Sequence, residues 1–214
     1  RFRRQPVALV CDTAEMYLRI GIAHEDKPFH RFLWRGIDQD RQPDTYQFDR
    51  VVFGVNSSPF LAQFVLQHHA QKLKDTFPQA AETVLRSTYM DDSMDSVMNE
   101  EDGIELHRQL SQLLTQAGMH ARKWLSNSST VLKEIPLQDR KAEVDLDTGY
   151  LPSAKTLGVW WSANQDVFMF KENAPGDDMK YTKRSFLKKI ATLFDPVGFL
   201  APFTIRAKIL LQEM

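Results

Sequence analysis

Read for hydrophobic period alone, the chain opens with VALVC at 7–11, an unbroken apolar run of strand length that stops at Asp12. Such a run fits a strand buried on both faces. Polar and apolar positions alternate over 17–23, and 29–35 and 46–53 read as further strands around a loop at 39–45 that contains Pro43. Then the period changes. Ser57-Ser58-Pro59 offers hydroxyl caps and a first-turn proline. Leu61, Phe64, Val65 and His68 follow at helical spacing, which predicts a helix over 59–73 with that stripe inward. A second helix is expected over 79–85. Residues 87–97, STYMDDSMDSV, read as two short strands around a tight tip. Leu106, Leu110, Leu113, Leu114 and Ala117 form a helical stripe that Gly118 ends. A strand at 119–125, a loop at 126–129 and a hairpin pairing 157–161 with 167–170 come next. A basic helix at 185–194 stops at Asp195-Pro196, and 204–214 reads as a last helix. This order predicts an α+β fold, an antiparallel sheet backed by helices. Ala174-Pro175-Gly176 marks the expected boundary between a larger domain, 1–175, and a helical one, 176–214.

Composition narrows the class without naming a chemistry. Of the 214 residues 43% are hydrophobic and 26% charged, as in ordinary globular proteins. The single cysteine, Cys11, excludes a disulfide framework and a cysteine-based zinc site, and suits a reducing compartment. No apolar run approaches the ~20 residues of a membrane helix, so no membrane partner is expected. The net charge of −1 hides a segregated distribution. Residues 91–105 hold seven acidic side chains and no basic one, whereas 180–189 hold five basic side chains and no acidic one. Solvated faces account for both runs when charge alone is considered. The absence of an initiator methionine and the uncapped last helix suggest a piece of a longer polypeptide.

The adjacent carboxylates Asp91-Asp92 alter the reading once Asp12 is set beside them. Asp-Asp at a hairpin tip is by itself an ordinary turn. Nucleotidyl transfer, however, needs carboxylates from distant segments brought onto neighbouring strands to hold two Mg²⁺ ions, which take hard oxygen ligands. Asp12 ending one strand, with Asp91 and Asp92 at a hairpin tip, supplies those residue types. Two other constellations are decoys. His68-His69 point about 100° apart on a helix and chelate poorly together. Asp147-Thr148-Gly149 has the letters of an aspartic peptidase but follows a charged run, and a glycine-containing turn fits it better.

Five segments in order resemble the motifs of reverse transcriptases. VALVCD at 7–12 with Tyr17 is similar to the first, FGVNSSPFLA at 53–62 to the second, and YMDD at 89–92 to the third. GMHARKW at 118–124 and LGVWW at 157–161 fall where the fourth and fifth belong. FDPVGFLAP at 194–202 and KILLQ at 208–212 are similar to the Bel/Pao group of LTR retrotransposons. The resemblance implies a polymerase palm with partial fingers and the start of a thumb. Asp12, Asp91 and Asp92 would hold two Mg²⁺, with Mn²⁺ as substitute, helped by the carbonyl of Thr13. Tyr17 would exclude a ribose 2′-OH, Phe53 and Gly54 would lie against the nucleotide, and Lys123 would meet its pyrophosphate. Gly158 and Trp160 would grip the primer end, and Lys183, Arg184 and Lys188 would touch duplex phosphates.

The expected partners are an RNA or DNA template with its primer, deoxynucleoside triphosphates, and the RNase H, integrase and peptidase of the parent polyprotein. The expected location is the cytoplasm, in a virus-like particle, or the nucleus. Retroviral enzymes carry Gln where Phe53 stands, and the family's finger strands with their triphosphate-binding Lys and Arg are not found ahead of Asp12. Rival readings are a silent nucleic-acid-binding or partner-binding domain, an RNA-directed RNA polymerase and the aspartic peptidase.

Overall fold

A computed structural model of the chain describes residues 2–156, 158–170, 182–196 and 198–213. The expected boundary at 174–176, together with Leu157 and Lys180, lies outside the described residues. The chain forms two compact units, Arg1–Val144 and Asp145–Met214.

The first unit is organised by β1 (Val7–Thr13), on which Val7 to Cys11 are all buried. β1 is central in an antiparallel sheet of order β4-β5-β1-β6, with β4 at Thr88–Tyr89, β5 at Asp92–Val97 and β6 at Ala121–Ser126. A strand flanked on both edges and covered by side chains has no water-facing side, hence its continuous apolar run. Burial pushes the Cys11 thiol far above its ordinary pKa, which a hydrogen bond with Ser93 only partly offsets.

α1 (Ser58–Lys72), α2 (Pro78–Arg86) and α3 (Glu100–Gln116) form the helical layer, with α2 and α3 against the sheet and α1 against α2. α3 starts where Asn99 accepts from the Asp102 backbone N–H at 2.8 Å, and Glu100, Glu101 and Asp102 fill its first turn. Acidic side chains there face the positive end of the helix dipole, which explains three of the seven acids in the run. Farther along, Arg108 and Gln109 both donate to Glu105, and mainly the Arg108 bond lowers its carboxyl to about 2. Gly103 sits where α3 crosses the sheet. A Cβ there would stand 2.9 Å from Val131 Cγ2, 3.5 Å from Val7 and 3.6 Å from Leu9. The odd-numbered side chains of β1 therefore face the helices.

Several expectations need correction. The predicted stripe of α1 is not its buried face: Ser58, Ala62, Leu66 and Ala70 are buried, while Leu61, Phe64 and His68 are not. α1 packs against α2 through a face of small groups and one leucine, so the largest apolar side chains of α1 are left off it. Ser57 makes no side-chain cap, and the Ser58 hydroxyl donates to the Val52 carbonyl at 2.6 Å instead. Residues 16–19 form a tight helical turn, not part of an alternating strand. The strand expected over 46–53 is β3, Asp44–Gln47, paired with β2, Arg31–Trp34. Both are short and exposed, and the apolar alternation beyond Gln47 ends because Val51 is drawn into the core, its N–H donating to the Ile20 carbonyl. From the last residue of the expected loop, α4 (Ser129–Lys133) forms, capped by the Ser128 hydroxyl.

The second unit has the expected hairpin as β8 (Val159–Ser162) and β9 (Val167–Met169), joined on the other edge by β7 (Ser153–Thr156), which periodicity did not predict. Trp161 is buried, and its ring N–H donates to Asp166 at 3.1 Å. Asp145 accepts from the backbone of Asp147 and Thr148, and Gly149 has φ 71°, so Asp147-Thr148-Gly149 is the turn expected of it. The basic helix is α5 (Lys183–Ala191), opened by a reciprocal cap between Thr182 and Ser185. It ends three residues before the expected stop, and α6 (Ala201–Glu213) begins three residues before its predicted start.

Candidate active site

The antiparallel register of β1 and β5 places Asp12 directly opposite Asp92. Asp91 sits with Met90 in the turn between β4 and β5, and its carbonyl accepts from the Thr13 N–H at 2.8 Å. The hairpin tip is thereby bonded to the end of β1, and three carboxylates from segments about 80 positions apart share the edge of the sheet at which β1 ends and β5 begins. Strand alternation puts Asp12 and Asp92 on the face opposite the Gly103 crossing. Two carboxylates directly opposite repel each other. The Asp92 carboxyl is correspondingly held above its ordinary pKa, first by burial, then by Asp91 and Asp12, with Lys123 acting the other way.

The donor chemistry fits a hard divalent cation: carboxylates set on neighbouring strands, where their mutual charge is unfavourable without one. Among the described residues, no three His, Cys, Asp or Glu side chains converge to hold an ion as they stand. Asp12 meets cations of the chain instead. Lys123 Nζ lies 2.6 Å from Asp12 Oδ2, and Arg122 Nε lies 3.6 Å from Oδ1.

Tyr17 links the other segments to this edge. Its ring lies 4.5 Å from that of Phe53, tilted by 42°, and its hydroxyl is 4.0 Å from Met90 Sδ. Segments at 17, 53 and 90 thus meet around one half-buried ring. Phe53 is 77% exposed, so its outer face is available for contact. Gly54 follows with φ 90°, a conformation open to glycine, and a Cβ there would meet nothing within 4 Å. Thr13 is buried, and its backbone N–H donates to the Asp91 carbonyl.

The remaining predicted residues belong to the second unit. Gly158 has φ 83°, and a Cβ there would stand 2.5 Å from the Phe194 ring. Trp160 pairs across the sheet with Lys155 and Met169, and all of these line one small cavity of about 170 Å³. Lys183, Arg184 and Lys188 lie exposed on α5. The histidine decoys are engaged elsewhere: His69 Nε2 bonds the Leu113 carbonyl at 2.8 Å, and His68 stacks on Phe64. Arg122 is the site residue that sequence reading missed. Its neighbour Lys123 is predicted from the fourth motif, and strand alternation alone sends one of the two away from Asp12.

No curated protein matches the chain. Residues 3–124, more than half of it, match the family described as reverse transcriptase (RNA-dependent DNA polymerase). Residues 182–214 match the Pao retrotransposon-like RNaseH-like domain. With the carboxylate edge and the converging segments falling inside the first match, the chain belongs to the reverse transcriptase family, as an RNA-directed DNA polymerase of a Pao-type retrotransposon.

Proposed function

We propose that this chain carries the palm of the polymerase and that Asp12, Asp91 and Asp92 are its metal-holding carboxylates. The observation that carries the reading is the opposition of Asp12 and Asp92 at a sheet edge to which the Asp91 turn is hydrogen-bonded. Two Mg²⁺ ions, or Mn²⁺ in their place, supply Lewis acidity for in-line transfer of a nucleotidyl group to a primer hydroxyl. The protein's part is to fix the groups around that transfer. The Thr13 N–H holds the Asp91 carbonyl and so sets the height of the hairpin tip against β1. Thr13 offers its own carbonyl as a further ligand. Tyr17, wedged between Phe53 and Met90, has little freedom to retreat. A sugar seated above it is selected for lacking a 2′-OH, which favours deoxynucleotides. Phe53 and Gly54 present an exposed ring and an open backbone to the nucleotide, and Lys123 offers an ammonium group to its phosphates.

The second unit serves the duplex in this reading. Gly158 and Trp160 support the primer end, and Lys183, Arg184 and Lys188 meet phosphates without reading sequence. We place the palm with partial fingers in 1–175 and the start of a thumb or connection in 176–214. The template is RNA or DNA, the remaining polyprotein domains are RNase H, integrase and peptidase, and the setting is a cytoplasmic particle or the nucleus.

The test is primer extension on an RNA template with Mg²⁺ or Mn²⁺, comparing deoxynucleotides with ribonucleotides. Extension should depend on deoxynucleotides and fall by about 100-fold or more in Asp91→Asn, the scale on which loss of transition-state charge stabilisation is felt. Extension unchanged in Asp91→Asn would remove the hairpin from the chemistry.

A further inference from the structure

β6 does not pair regularly with β1. Val10 partners Leu125 and Asp12 partners Arg122, so the single residue Cys11 spans two on the other strand, Lys123 and Trp124. Two residues against one is a β-bulge. Lys123 has φ 55°, in the left-handed region that side-chain-bearing residues rarely adopt. In an unbroken strand, residues 122 and 123 would point to opposite faces. Here both reach one carboxylate, Lys123 at 2.6 Å from Oδ2 and Arg122 at 3.6 Å from Oδ1. Asp12 is thus placed between Asp92 on one neighbouring strand and two cations on the other. The Asp12 side chain is 20% exposed and that of Lys123 57%, so the lysine reaches in from solvent and can withdraw.

We infer that Lys123, backed by Arg122, is a resident counter-ion of Asp12 that a divalent cation must displace, and that the bulge exists to deliver it. The inference rests on the reading of Asp12 as a metal ligand. Before metal binds, the ammonium group offsets a carboxylate that faces another across the strand pair. Once displaced, the same group stands free beside the carboxylates, where the phosphates of a nucleotide bring their charge. A residue held in unfavourable backbone geometry at such a place is what a positioning device requires.

The test is Mn²⁺ binding to the chain without nucleotide, followed by the electron paramagnetic resonance signal of free Mn²⁺. Lys123→Met should bind Mn²⁺ about two- to fivefold more tightly than the parent, the range expected on removing a partly exposed ion pair. Lys123→Asn, which tolerates a left-handed backbone and carries no charge, should behave likewise if the methionine variant folds poorly. Lys123→Arg should stay close to the parent. The gain should shrink as salt is raised and vanish in Asp12→Asn combined with Lys123→Met. Unchanged or weaker binding in both uncharged variants overturns the counter-ion. If Asp12→Asn still weakens the parent's binding in that case, the carboxylate reading stands without it. If Asp12→Asn alters binding in neither background, both readings fall together.

Discussion

Gly103→Ala tests how closely α3 is seated over the sheet that carries Asp12. Two effects compete. Alanine is favoured over glycine inside a helix by about 1 kcal/mol. Against that, the new methyl would stand 2.9 Å from Val131 Cγ2, closer than real methyl contacts, with Val7 at 3.5 Å and Leu9 at 3.6 Å behind it. Val131 is fully buried, and Val7 and Leu9 belong to the strand that ends in Asp12. A branched side chain walled in on all sides cannot turn away, and overpacking of this kind costs about 1–3 kcal/mol. The expected balance is a net loss of about 1 kcal/mol, measured by urea unfolding through the fluorescence of buried Trp124 in the same unit. Val131→Ala provides the control. Alone it removes two buried methyl-equivalents and leaves a cavity, at a cost of about 2–3 kcal/mol. In the Gly103→Ala background it also relieves the clash, so the same change should cost less by about 1 kcal/mol or more. Equal cost of Val131→Ala in both backgrounds, or a Gly103→Ala chain stabilised by the full helix propensity, would refute this account of the packing.

Two further outcomes are expected. Tyr17→Val should relax discrimination against ribonucleotides by about 10- to 200-fold, the scale of a size change in a recognition pocket, in single-nucleotide incorporation assays; unchanged selectivity would take the ring away from the sugar. His107, packed edge-on against Trp124 at 4.8 Å, is held below the ordinary histidine pKa by burial, with Asp139 opposing. Its folded state favours the neutral ring, so the stability it confers is present above the unfolded value of about 6.5 and is lost as pH falls below it. The urea midpoint should decline over that window in the parent and decline less in His107→Gln, and parallel profiles would exclude His107 as the source.

Much of the site was legible because the relevant groups are fixed by short-range signals. An apolar run that stops at Asp12 defines a central strand, and a two-strand tip defines where Asp91 and Asp92 must sit. Pairing those strands in antiparallel register then brings the aspartates together. The parts that were not legible depend on choices made between distant segments. The buried seam of α1 runs through Ala62, Leu66 and Ala70, which suit the packing of α1 on α2, whereas periodicity weights the larger Phe64 and Leu61. The bulge at Lys123 leaves no glycine or proline to announce it, since the backbone that bends there is held by its neighbours and by the charge of Asp12. β7 was invisible because Ser153-Ala-Lys-Thr156 carries only one apolar residue and gains its identity from pairing with β8.

Cys11 gives this fold an internal clock. It is the chain's one cysteine, immediately precedes Asp12, and is sealed inside the central strand. A thiol reagent can reach it only during moments when β1 leaves the sheet, so native-state trapping counts those excursions directly. Because the same excursions would disassemble the carboxylate edge, the labelling half-life also bounds how long the site persists between openings. A metal or a template–primer that stabilises the edge should lengthen that interval, which makes one sulfur atom a reporter of occupancy that needs no engineered cysteine.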